Sequence, residues 1–123
     1  MADVVRDAAG KAFSSWKSVA KFEYVLGRDW PEIAAHVLTE YIFDSERKWR
    51  LDFAWPTQLV GVEIDGFGFS HQAVDRLSEN HEKQNAAVEL GWRILRYTSK
   101  QLGSKAKVEE AVDQVCRILC NVK

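Results

Sequence analysis

The stretch from Leu59 to His71 reads LVGVEIDGFGFSH. Two carboxylates, Glu63 and Asp65, are set into an apolar run, and a turn of glycines and aromatics leads on to His71. A strand that only fills a core does not carry two acids on one face. A third acid, Asp52, lies in the preceding run KWRLDFAW. If Pro56 to Gln58 turn the chain between two antiparallel strands, facing residues have numbers that sum to about 115. Asp52 then stands opposite Glu63, with Cβ atoms roughly 4.5–5.5 Å apart. Asp65 continues the same face, and Arg50 is the nearest cation along the chain. Three ionised carboxylates this close repel one another, and burial makes each charge worse. A divalent cation between them relieves this, as does a carboxyl that stays protonated. Carboxylates, a backbone carbonyl and water suit Mg²⁺, the usual partner of phosphate chemistry. The plainer alternative is three solvated acids on an exposed sheet face, with Asp52 paired to Arg50 or Arg93.

The elements that would hold these residues follow from periodicity. Lys11 to Leu26 has helical spacing in Phe13, Trp16, Val19, Ala20 and Tyr24, with Gly27 as the stop. Pro31 opens a short second helix through about Leu38. Glu40 to Phe43 reads as a strand. In Lys48 to Trp55, Trp49, Leu51, Phe53 and Trp55 alternate with Lys48, Arg50, Asp52 and Ala54, the clearest two-residue period in the chain. Leu59 to Asp65 is the next strand, with Val60, Val62 and Ile64 on one face. Gln72 to Leu90 is a helix with Val74, Leu77, Ala87, Val88 and Leu90 as its apolar residues, ended by Gly91. Trp92 to Thr98 is a fourth strand. Ser104 to Leu119 is a last helix, striped by Val108, Val112, Val115 and Leu119. The order α-β-β-β-α-β-α predicts an α/β (α+β) fold, a mixed sheet of about four strands flanked by helices.

The chain has 123 residues, 46% apolar and 28% charged, which suits one globular domain with a modest core. Within it the N-terminal helical segment spans about 1–38, the central part about 39–98 and the last helix about 104–120. The 17 basic and 18 acidic residues nearly cancel, so any nucleic-acid contact must be a local patch. No apolar run is long enough for a membrane span, and MADVVRDAAGKAF lacks the apolar segment of a secretory signal. Cys116 and Cys120, four apart on one helix, read as reduced thiols. A cytoplasmic location is therefore expected.

The runs RKWRLDFAW, VEIDG, HEKQN and GWRILRYT, in this order with a histidine between the second and third, resemble the PD-(D/E)XK nuclease superfamily. The nearest resemblance is to small bacterial and phage proteins akin to very-short-patch-repair endonucleases, and it covers about Glu40 to Thr98. It implies a restriction-endonuclease-like fold and metal-dependent hydrolysis of DNA phosphodiesters. By the resemblance Asp52 and Glu63 are metal ligands, and the carbonyl of Ile64 completes the shell. Asp65 stands where the superfamily has a lysine, an exchange common among the nearest look-alikes, and is expected to hold a second metal or orient water. Lys83, on the following helix, could reach back to fill the lysine's place. His71 is a candidate general base or phosphate contact. Asn80 stands where look-alikes often carry an aspartate. Glu40 is the candidate for a further acid before the first catalytic strand, with Glu32 the weaker choice.

Arg50, Arg93 and Arg96 are candidate DNA phosphate contacts, and Phe67 and Phe69 a candidate wedge or stacking pair. Trp49 and Trp55 are expected in the core, and Trp92 beneath the sheet. Trp16 and Trp30 are candidates for a partner surface, and His81 for burial against the sheet. The function expected is a Mg²⁺-dependent DNA endonuclease, with Mn²⁺ as substitute metal and no organic cofactor. A chain this small is expected to select a DNA structure (nick, flap, mismatch or junction, as in repair or recombination), to act as a homodimer, or to be targeted by a partner. The alternative is a non-catalytic nucleic-acid or interaction module on the same fold. A sugar hydrolase using the same carboxylates is a third, poorer fit.

Overall fold

A computed structural model describes residues 15–66 and 73–121. Its elements are α1 (Ser15–Asp29), α2 (Pro31–Ala34), β1 (Leu38–Asp44), β2 (Trp49–Trp55), β3 (Val60–Asp65), α3 (Ala73–Glu89), β4 (Arg93–Thr98) and α4 (Lys105–Asn121). The four strands form one sheet in the order β1-β2-β3-β4. The first three are antiparallel neighbours, and β4 returns through α3 to run parallel to β3. This is the mixed four-stranded sheet flanked by helices that the periodicity predicts.

One face of the sheet carries most of the core. Phe22, Val25 and Leu26 of α1 and Val108, Val112, Val115 and Leu119 of α4 pack on Phe53, Trp55, Val60, Val62 and Ile64. The other face has a smaller cluster of Leu51, Ala54, Ala87 and Trp92, edged by Tyr41, Phe43 and Ile94. The boundaries have local causes. Gly91, at φ 87, ends α3, with the Trp92 N–H donating to Ala87 and the Gly91 N–H to Val88. That is the two-bond glycine cap, and Trp92 packs on Ala87 across it, the apolar contact that usually accompanies the cap. The Ser104 hydroxyl accepts from the Lys107 N–H at the start of α4.

Several expectations need correction. Helix α1 does not stop at Gly27 but runs to Asp29. Arg28 pairs with Glu109, and the Trp30 indole donates to Asp113, so α4 holds the helix end in place. Trp30 is half-buried and packs against the main core, whereas Trp16 is exposed. Helix α2 is a single turn, because β1 already begins at Leu38. Trp49 is not core; it is half-buried and stacks with Phe43. His81 is exposed, as are Leu77, Val88 and Leu90, so of the apolar residues read on this helix with described burial only Ala87 lies on the packed face. That face carries Lys83 and Ala87, both buried, with Asn80 and Gln84 half-buried. Cys116 is buried and Cys120 exposed, and both are free. No described helix is long and apolar enough to cross a membrane.

Candidate active site

The β2–β3 register pairs Phe53 with Val62, Ala54 with Gly61 and Trp55 with Val60, the register the turn predicts. Asp52 and Glu63 are the next pair outward, where the two strands stop pairing. There the Asp52 carboxylate accepts the backbone N–H of Ile64 at 2.6 Å, taking the place of a ladder carbonyl. The side-chain alternation of β2 breaks at this point. Leu51 turns to the face of Ala54 and Ala87, whereas Phe53 stays on the opposite one. Gly61 makes this fit: a Cβ there would lie 2.5 Å from Leu51 Cδ1. Burial is the main reason the Asp52 carboxyl is pushed up to about 6; the Ile64 N–H opposes the shift, and the nearby Glu63 charge adds to it.

Glu63 is 13% exposed and meets two cations. Lys83 Nζ reaches back from α3 to its Oε1 and also donates to the carbonyl of Arg50 at 2.7 Å. The lysine is buried, with its charge fixed between β2 and β3. Arg96 comes from β4, level with Glu63 in the parallel register. Its Nη2 lies 3.0 Å from Glu63 Oε2 and 3.4 Å from Asp65 Oδ2. It is angled so that the buried Glu63 Oε2 accepts no hydrogen bond. Asp65, 40% exposed, stands at the mouth. Asp52, Glu63, Asp65, the backbone of Ile64 and Lys83 line one cleft of about 260 Å³. Among the described residues no three acids, histidines or cysteines stand in ligating geometry.

The remaining candidates sort by position. Glu40 is level with Asp52, between the pairs Thr39–Phe53 and Tyr41–Leu51, and lines the same cleft; its φ of 49 marks a local break in β1. Glu32 lines a separate cleft with Trp55 and Gln58, away from the acids. Arg50 is exposed at the cleft wall, 3.9 Å from Glu40. Arg93 is exposed and pairs with Val60, at the other end of the sheet from Asp65. His71, Phe67 and Phe69 lie outside the described residues.

Two features escaped the sequence reading. Arg96 is an internal partner of two acids, which shows only once β4 is known to run parallel to β3 in this register. Gln84, beside Lys83 on α3, has a buried Oε1 with no partner among the described residues. Its signal was the polar spacing of Asn80, Lys83 and Gln84 on one helical face. No family model, curated protein or solved structure matches the chain.

Proposed function

We propose that this protein is a metal-dependent deoxyribonuclease of the restriction-endonuclease-like type, hydrolysing phosphodiester bonds at the cleft of Asp52 and Glu63. The observation that carries this reading is the convergence of Asp52, Glu63 and the Lys83 amine from three elements beside the C-terminal ends of the parallel strands. Ligands of open α/β sheets gather at that end. The donor set is oxygen, and Glu63 Oε2 is buried without a hydrogen bond, a lone pair that a hard cation would satisfy. Asp52, Glu63 and the carbonyl of Ile64 would hold Mg²⁺ or Mn²⁺. The metal would polarise a phosphoryl oxygen and lower the pKa of a bound water.

The chain's own groups divide the remaining work. The Ile64 N–H fixes the Asp52 carboxylate toward the cleft. Lys83, tethered by the Arg50 carbonyl, orients Glu63 and places positive charge where negative charge develops on phosphate. It does this from the helix, in the absence of a strand lysine. Arg96, less firmly held than Lys83, can leave Glu63 and Asp65 to contact a phosphate oxygen. Asp65 at the mouth can orient water.

One observation favours a second reading, a nucleic-acid-binding module without catalysis: the acids already have resident counter-ions in Lys83 and Arg96. Cleavage decides between the two. Labelled single strand, duplex, nick, flap, mismatch and four-way junction are incubated with Mg²⁺, Mn²⁺ or EDTA, beside Glu63→Gln. Metal-dependent cutting abolished by Glu63→Gln is expected. Binding of these DNAs without cutting under any condition would favour the module.

A further inference from the structure

We propose that the end of the β1–β2 turn and the start of β2, Arg47 to Arg50, form the surface that receives the phosphate backbone of duplex DNA and leads it to the acidic cleft. This rests on the nuclease reading above and assigns its docking face. The register places the turn. Asp44 pairs with Trp49, and Ile42 with Arg50, so the turn caps the end of β2 where the strand leaves β3. Asp65 and Thr98 end β3 and β4 at the same end of the sheet. Lys48, Trp49 and Arg50 are walls of the cleft whose floor holds Asp52 and Glu63.

The rim carries three cations, Arg47, Lys48 and Arg50, against two exposed acids, Glu40 and Glu46. On the floor Glu63 is matched by Lys83 and Arg96. On the rim the cations face outward: Arg47 is 57% exposed and Arg50 61%. Lys48 has no ion-pair partner among the described residues. The acids that do reach Arg47 and Arg50 stand 3.7 and 3.9 Å away, and exposed pairs at such distances hold little energy. The turn is also stiff. Asp44 Oδ1 accepts the N–H groups of Glu46 and Arg47, both at 3.0 Å. The Arg47 guanidinium lies over the Trp49 ring at 4.8 Å, and Trp49 stacks on Phe43. Lys48 is held at φ 57, a conformation uncommon for a side-chain-bearing residue. An arginine fixed in advance, as Arg47 is, loses little entropy on meeting an anion.

The floor decides which anion. An acidic peptide crossing this rim would bring carboxylates onto carboxylates. A phosphate backbone brings the one group that the cleft can process. Arg93 is the internal control. It lies on the opposite face, in line with Val60 and Val62, and about 17 Å along the sheet from Asp65 by strand rise.

The test is fluorescence anisotropy of a labelled duplex in EDTA across a salt series. The chains compared are the unaltered protein, R47Q/K48Q/R50Q, Lys48→Gln alone and Arg93→Gln, each with its thermal unfolding recorded. The triple variant should bind about tenfold or more weakly and lose about 2–3 units of log–log salt slope, at ~0.9 per phosphate contact. Lys48→Gln, which keeps the Arg47–Trp49 stack, should lose about one unit, and Arg93→Gln none. Unchanged affinity and slope in the triple variant would overturn the proposal, as would an equal loss in Arg93→Gln. Should the triple variant misfold, Lys48→Gln decides by the same slope. Cleavage in Mg²⁺ by the unaltered chain runs in parallel. Cleavage with binding indifferent to the turn sinks this surface alone. Turn-dependent binding without cleavage keeps the surface and sinks the nuclease, and neither binding nor cleavage sinks both.

Discussion

Asp52 holds its charge where charge is costly. Its carboxyl, ordinarily at 3.8, is pushed up to about 6 by burial. The folded state therefore binds the proton more tightly than the unfolded chain. This contribution is fully present below pH about 4 and is lost as pH rises through about 6. Above that, the ionised group costs about 3 kcal/mol at 1.36 kcal/mol per pKa unit. Asp52→Asn, whose side-chain oxygen can still accept from Ile64, should stabilise the protein by about 1–3 kcal/mol at pH 7.5 and by almost nothing at pH 4. Urea unfolding at both values measures this, and a variant less stable at pH 7.5 would contradict the burial argument. The Lys83–Glu63 pair has the opposite character. Lys83→Met leaves the buried Glu63 with Arg96 alone and the Arg50 carbonyl without its donor, and should cost about 1–3 kcal/mol. Replacing both partners by apolar residues should restore much of that loss, so a double-mutant cycle would show strong coupling.

Strand β2 packs its last paired positions into the core and turns Asp52, nearer its start, to the acidic cleft. The switch occurs at Asp52, where Leu51 crosses to the other face into the space Gly61 leaves. Gly61→Ala pushes against Leu51 and should destabilise by about 1–3 kcal/mol, measured by thermal unfolding. It should also disturb Asp52 and so reduce cleavage beyond what the lost stability explains. A variant as stable and active as the unaltered chain would show that Leu51 moves freely. The sequence reading reached the β2–β3 turn, the register and Gly91, because alternation, turn residues and a glycine cap are local signals; the reach of Lys83 was expected only from the resemblance. It misread α3 for a physical reason. Apolar periodicity points to the packed face only where that face is apolar, and here Lys83, Asn80 and Gln84 occupy it. The strict alternation assumed for β2 failed where a carboxylate replaced a ladder carbonyl. Gly27 failed as a stop because the Arg28 and Trp30 contacts to α4 outweigh a glycine's helix cost of about 1 kcal/mol.

The two faces of the sheet do different work. Aliphatic and aromatic side chains from α1 and α4 fill one, and this is where the fold's stability concentrates. Helix α3 covers the other, and from Leu77 onward Ala87 is its one buried apolar side chain. Local opening is least costly where buried apolar contact is sparse. Amides of α3 should therefore exchange with solvent well before those of α1 and α4, as hydrogen-exchange mass spectrometry would show; equal protection would contradict this division. A thin polar layer beside a firm core is a workable place for a costly acid pair. The central claim is that this pair hydrolyses DNA. It is tested most directly by the cleavage rate of Asp52→Asn beside the unaltered chain, in Mg²⁺ at pH 7.5, on whichever DNA the unaltered chain cuts best. The account predicts metal-dependent cutting by the unaltered chain and none by a variant that is at least as stably folded. Equal cutting by both, or none by either on any DNA, would contradict it.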